Sequence, residues 1–234
     1  MGWFGAMGAA QFDQLTGQFL RSVRDGGGGL VAVCGACVHV LPVRRAAIVL
    51  EERDAGLQPW CASDEIADRV EAAQATAGEG PAVSAVDDGV PVAVPDLATE
   101  VERWPGFAEA LGDVAPRGSL LAIPLRLGGA RLGALDLYRD AIGRPGPRLV
   151  TASLHVADLV TASLVLAAEG ETRRWGQPSS SRWIHQAAGM ASAQLGIEVT
   201  DAYARMRGYA FSHGLSLVQV ARGVVDRSIC FEPE

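Results

Sequence analysis

Apolar positions recur every three to four residues through AAQFDQLTGQFLRSVRD, stop at the glycines of 26–29, and resume in LVAVCGACVHVL as far as Pro42. That spacing predicts two short helices ahead of the first strand. RRAAIVLEE (44–52) is a β-branched apolar run ending at an Asp54/Gly56 turn, and LQPWCA beyond it is the expected partner strand. Ser63 is the expected N-cap of DEIADRVEAAQATA, whose acids fall in the first turn where the helix dipole favours them, and GEGP stops this helix. VPVAVPDL reads as a strand too rich in proline for the middle of a sheet, and one or two helical turns follow it. GSLLAIPLRLGGARLGALDLYRD, folded about Gly128 and Gly129, predicts a hairpin; its apolar residues point both ways, so it belongs at the centre of a sheet covered on both faces.

From Pro147 a helical period runs to near Arg174 and disappears in WGQPSSS (175–181). Three further helical periods fill 182–229. Gly196 stands where the first should end, Thr200 is the expected cap of the second, Gly214 closes that one, and Ser216-x-x-Gln219 opens the third as a capping box. The inward residues read from the spacing are Ile184, Ala188, Ala191 and Leu195; Ala202, Met206, Tyr209 and Ala210; Leu217, Val220, Ala221 and Val224. A core so rich in alanine is thin, and a unit of this size needs support, expected from the preceding long helix or a partner subunit. The fold class is therefore α+β: residues 1–174 form an antiparallel sheet flanked by helices, 175–181 a linker, and 182–234 an all-α three-helix bundle.

Charge divides along the same line. Residues 1–170 hold 13 Arg against 21 acids, and 171–234 hold 7 Arg against 6 acids. The acidic front is unsuited to gripping a polyanion, whereas the tail permits it. Since the chain has no Lys, any single Arg is weak support for phosphate binding. The start, MGWFGAMGAAQF, has neither a basic nor an apolar leader segment, so a cytoplasmic chain with reduced thiols is expected. LVTASLHVADLVTASLVLAA (149–168) is long enough to cross a bilayer, but His155 and Asp158 near its centre favour a buried or dimerising helix, and no membrane partner is expected.

The remaining motifs carry little chemistry. Cys34-Gly-Ala-Cys37 has no second C-x-x-C, and with Cys61 and His39 it would make an irregular metal set, so the thiols read as core residues and no metal or cofactor is expected. His155 and His213 have no neighbouring nucleophile or carboxylate in a catalytic arrangement, and no catalytic residue is assigned.

Two resemblances supply what spacing does not. GEGP, whose proline is residue 81, and VPDL, RWPGF, S-x-L-x-x-P-L and GALDLY within residues 81–140 resemble the GAF domain of actinobacterial regulators. This resemblance covers most of 7–170. It implies a signal-sensing fold with a small-molecule ligand between sheet and helices, and Trp60, Trp104, Phe107, Leu121, Ile123 and Leu135 are the candidate lining. IHQAAGM with EVTDAYARMRGYAFSHGLSLVQVARGVV is similar to the ANTAR domain of antitermination regulators, through Gln186, Ala187, Gly189, Ala202, Arg207, Ala210, Ala221 and Val224. Ala188 departs from that pattern, standing where many such domains have a basic residue.

The second resemblance implies an output module for structured transcript RNA. Its candidate contacts are Arg182, His185, Gln186, Gly189, Gln194, Arg205 and Arg207: Arg, Gln and His donate to phosphates and unpaired base edges, and a glycine admits close backbone approach. The expectation is a non-enzymatic, homodimeric antitermination regulator. Its rivals are a thiol enzyme of the GAF fold acting on free methionine sulfoxide, and a DNA- or protein-binding regulator.

Overall fold

The computed structural model describes residues 7–99, 103–112, 116–169 and 179–232. Helices α1 (Ala9–Asp25) and α2 (Leu30–Val40) flank the tetraglycine as the periodicity predicts. Strands β1 (Arg45–Glu52) and β2 (Gly56–Ala62) follow, then α3 (Glu65–Ala77), α4 (Pro81–Asp88), β3 (Val92–Val94), α5 (Pro105–Leu111), β4 (Ser119–Leu127), β5 (Ala130–Arg139) and α6 (Pro147–Glu169). The strands form one antiparallel sheet in the order β2-β1-β5-β4-β3. The hairpin β4–β5 turns at Gly128–Gly129, and β3, the proline-flanked strand, lies at an edge.

Burial on both faces explains the unbroken apolar runs. Ile48, Leu121, Ile123, Leu125, Leu135 and Leu137 point to one side, where Phe19 of α1, Val33 and Cys37 of α2, and Val156 and Val160 of α6 cover them. On the other side Ala47, Leu120, Ala122 and Tyr138 meet Val70 of α3, Ala85 of α4, and Trp104 and Phe107 at α5. The long apolar α6 is thus a core helix of the sandwich, with its exposed Leu154 and Leu166 on the outer side. Its His155 Nε2 lies 2.7 Å from Thr16 Oγ1 of α1.

Several expectations need correction. Asp64, not Ser63, caps α3 by accepting from Ala67 N (2.9 Å); Ser63 Oγ instead accepts from Ala46 N and fixes the start of β1. Helix α4 was hidden because its eight residues follow a glycine-proline stop and offer less than three turns of periodicity. Cys34 and Cys61 are joined as a disulfide between α2 and β2, against the expectation of free thiols, because helix packing on the sheet brings the two side chains together. Cys37 stays free and buried, and burial pushes its thiol up to about 12.

The C-terminal helices are α7 (Ser179–Leu195), α8 (Val199–Ser212) and α9 (Leu217–Val225). Every inward residue expected from the pattern is buried or packed against their core, joined by Ala187, Tyr203 and Phe231. Gly196 and Gly214 take left-handed conformations at the helix ends, and the Ser216/Gln219 capping box forms. Two local details differ. Helix α7 starts at Ser179, inside the expected linker, whose residues 175–178 lie outside the described residues. Glu198, rather than Thr200, precedes α8, since Thr200 is already helical and turns its hydroxyl to Asp54 (3.4 Å).

Gly133 marks a close approach between β5 and β1. It has φ +151°, and a Cβ there would lie 2.0 Å from the Val49 carbonyl oxygen of β1. Gly133→Ala should therefore destabilise the fold by about 2–4 kcal/mol. A shift of the urea midpoint measures this, and a loss below about 0.5 kcal/mol would mean the strands do not cross so closely.

Candidate functional site

Inside the second face of the sheet lies a polar cluster that the hydrophobic pattern does not announce. Gln74 of α3 donates through Nε2 to Glu71 Oε2 (2.7 Å) and Asp136 Oδ2 (2.9 Å), while its Oε1 accepts from Ala82 N of α4 (2.8 Å). The Tyr138 hydroxyl donates to Glu71 Oε1. All four side chains are buried. Burial disfavours the charged carboxylates: Asp136 is pushed up to about 7, and Glu71, facing Asp136 as well, rises well above the ordinary range. Burial and mutual repulsion thus both disfavour two charged carboxylates side by side in the cluster. A sequence signal existed, since Asp136 interrupts the strand LDLY between two leucines that must be buried.

Trp60, Trp104, Phe107, Leu121, Ile123 and Leu135 do not converge on one pocket. Leu121, Ile123 and Leu135 are buried on the α1/α2/α6 face, with Trp60 packed against them, whereas Trp104 and Phe107 belong to the opposite face. Sequence spacing could not assign faces to residues on different strands and loops. The cavities lie elsewhere. A cleft of about 530 Å³ opens between α3, α5 and the α8–α9 turn, bordered by Arg69, Thr76, Glu109 and Phe211, and one of about 170 Å³ lies among Gln74, Asp87 and Arg207. None of the six residues lines either.

Both cavities lie at the seam where the C-terminal helices meet the sandwich. The β1–β2 turn provides most of the polar contacts across it. His185 Nε2 of α7 is 2.6 Å from Glu52 Oε2, and its Nδ1 is 2.5 Å from the hydroxyl of Tyr203. Arg207 Nη1 donates to the Ala55 carbonyl (3.3 Å), and Ala55 itself packs into the C-terminal core. Leu217 N at the start of α9 donates to Thr76 Oγ1 of α3 (3.2 Å). The bundle thus takes its support from α3 and this turn, rather than from the long helix the sequence suggested.

The seven candidate RNA contacts consequently separate. Arg182, Gln186, Gly189 and Gln194 on α7 and Arg205 on α8 are exposed, and nothing lies within 4 Å of where a Gly189 Cβ would be. Arg182, Gln186 and Gly189 follow one another at helical spacing along a single line of α7. His185 and Arg207 instead turn toward the sandwich. Arg207 is half-buried, and loss of solvent lowers its pKa. Burial raises Tyr203 to about 12, with the charges of Glu52 and Asp54 adding to the effect, so its hydroxyl stays neutral. Among the described residues no cluster of three or more His, Cys, Asp or Glu side chains is arranged to hold a metal ion.

With the geometry described, comparison decides the family of the sandwich. The model of the GAF domain matches residues 31–168, from α2 to α6. The chain belongs to the GAF family. Among solved structures it is similar to the GAF domain of an Acinetobacter phosphoenolpyruvate-protein phosphotransferase, at 12% identity and TM-score 0.48, covering 71% of this chain and 99% of that one. A second similarity is to the GAF domain of the Coxiella burnetii phosphoenolpyruvate-protein phosphotransferase, at 14% identity and TM-score 0.48, covering 70% and 98%. A third is to the free methionine-R-sulfoxide reductase from Neisseria meningitidis in complex with its substrate, at 16% identity and TM-score 0.47, covering 73% and 99%. Comparison with curated proteins gives no match. Helices α1 and α7–α9 lie outside the GAF match.

The buried cluster makes stability of the GAF fold depend on pH. An Asp ionises near pH 3.8 when unperturbed, and Asp136 in the fold near 7. Between those values the folded chain holds the extra proton, so this group lowers stability as pH rises through that window and changes nothing further above it. Asp136→Asn removes the effect while keeping an acceptor for Gln74. Its unfolding free energy should exceed that of the wild type by on the order of 2 kcal/mol at pH 7.5 and converge on it near pH 4. Urea titrations at the two pH values measure this, and an equal difference at both would show that Asp136 does not titrate in the fold.

Proposed function

We propose that this protein is a cytoplasmic, non-enzymatic regulator in which the GAF domain senses a signal and α7–α9, an ANTAR-like module, bind hairpin-loop RNA and prevent a transcription terminator from forming. The observation that carries this reading is the exposed line Arg182, Gln186 and Gly189 on α7, on the outer side of the bundle core. Guanidinium and carboxamide donors on such a line suit phosphates and unpaired base edges, and the open surface over Gly189 lets a nucleotide reach the helix backbone. Arg205, exposed on α8, adds a second cation. The module acts as a homodimer, for which the exposed apolar Leu20 of α1 and Leu154 and Leu166 of α6 offer a surface. Two bundles in one dimer raise the effective concentration at a transcript carrying paired loops.

The three cysteines of the GAF domain favour a sensor over a thiol enzyme of that fold. Cys34 and Cys61 are bonded to each other, and Cys37 is a buried thiol held in its protonated form, whereas a nucleophilic cysteine needs an exposed thiolate. A small-molecule ligand of the GAF domain fits the seam clefts better than the packed core around Leu121 and Ile123.

Electrophoretic mobility shifts with an RNA of two adjacent hairpin loops test the reading. Affinity should fall with salt by about 0.7 log units per log salt for each phosphate neutralised. Arg182→Gln should weaken binding about three- to tenfold and reduce that slope by roughly one phosphate. Duplex DNA bound as tightly as the RNA at equal salt would favour the DNA-binding rival.

A further inference from the structure

The groups across the seam are chemically telling. On the bundle side stand His185, Thr200 and Arg207, donors of the kind that grip phosphate; on the GAF side stand the Glu52 and Asp54 carboxylates and the Ala55 carbonyl. The acidic turn EERDAG (51–56) thus presents oxygens to the donors that a polyanion would use. Its shape is specialised for the task. Asp54 adopts a left-handed backbone, φ +69°, at the tip, and Ala55 behind it is buried in the bundle core. From these contacts we infer that the β1–β2 turn is an intramolecular competitor for RNA, holding α7–α9 in a docked state in which His185, Thr200 and Arg207 are already occupied while the line Arg182, Gln186 and Gly189 stays open. This inference rests on the RNA-binding reading above and gives it a sign: the GAF domain restrains the output module.

The dock is built to be reversible. Arg207 is half-buried, its guanidinium donates to a single carbonyl, and no carboxylate lies within salt-bridge distance among the described residues. A guanidinium so placed gains when it exchanges that carbonyl for a phosphate, because the phosphate adds an opposite charge and a second oxygen that the planar fork can grip. The Thr200–Asp54 contact is exposed and weakened by salt, whereas Glu52 is largely buried beside a part-exposed His185. The seam is also within reach of the sensor core. Helix α3 carries Glu71 and Gln74 in the buried cluster and, half a turn on, Thr76, which accepts from the first amide of α9. Gln74 further lines the cavity that Arg207 enters. A shift of α3 on the sheet therefore moves the acceptor of Leu217 N directly.

The test uses the full chain with Glu52→Gln and Asp54→Asn combined, near-isosteric substitutions that remove the decoy charges and alter no residue of the bundle. Two readouts are taken. Amide hydrogen exchange across 199–217 reports docking, and mobility shifts with the two-loop RNA report affinity. The double variant should exchange faster at Leu217 and bind RNA about tenfold more tightly, with the gap to wild type narrowing as salt rises. Faster exchange with unchanged affinity overturns the competitor role and leaves the RNA reading standing. Unchanged exchange overturns the claim that these carboxylates hold the bundle. Absence of RNA binding by both forms removes the RNA reading and this inference with it, whatever the exchange shows.

Discussion

The carboxamide of Gln74 is the joint on which the architecture turns. One side chain donates to Glu71 on its own helix and to Asp136 on the central strand, and accepts from the first turn of α4. It therefore locks two helices to the sheet at one point, in a place where water cannot substitute for a lost partner. The small residues Ala47, Ala122 and Ala134 around it keep the face shallow enough for α3 and α4 to approach. Burying such a network is costly, and the raised pKa values of Glu71 and Asp136 express that cost.

From that joint the structure extends in two directions. Across the sheet, Leu135 and Leu137, the neighbours of Asp136 on β5, point into the opposite core and fix α1, α2 and α6. Along α3, the helix end carrying Thr76 meets α9, and the β1–β2 turn beside it meets α7 and α8. The C-terminal helices have a core of alanines with a few larger side chains, and this thin core is completed by Ala55 from the GAF domain. The two parts are consequently not beads on a string: the C-terminal helices borrow part of their packing from the GAF domain. A three-helix unit of this size gains stability from such a loan.

Conserving the fold while changing the seam is physically easy here. The turn residues Glu52 and Asp54 contribute charge at the seam, whereas Gln74, Asp136 and Gly133 sit in places where any change disturbs packing or backbone. The seam contacts and the packing of the sheet thus fall to different residues of neighbouring elements, β1 with its turn on one hand and the β5–α3 contact on the other.

The order of helices and strands was legible because each carries a local signal that needs no partner: a glycine run between α1 and α2, two apolar segments about Gly128–Gly129, a capping box at Ser216, and helical periods in α7–α9. The central place of the β4–β5 hairpin was legible too, since only a strand covered twice affords apolar residues at successive positions. Other features depended on residues far apart in sequence. Whether Leu121 and Trp104 face one pocket is set by strand register and by where α5 lands. That Cys34 meets Cys61, or that His185 and Arg207 face an acidic turn some 130 to 150 residues earlier, follows from helix packing. Periodicity records which residues avoid water, because burial is a property of one position; it does not record which neighbour they find, because partnership is a property of two, and only the folded chain brings the two together.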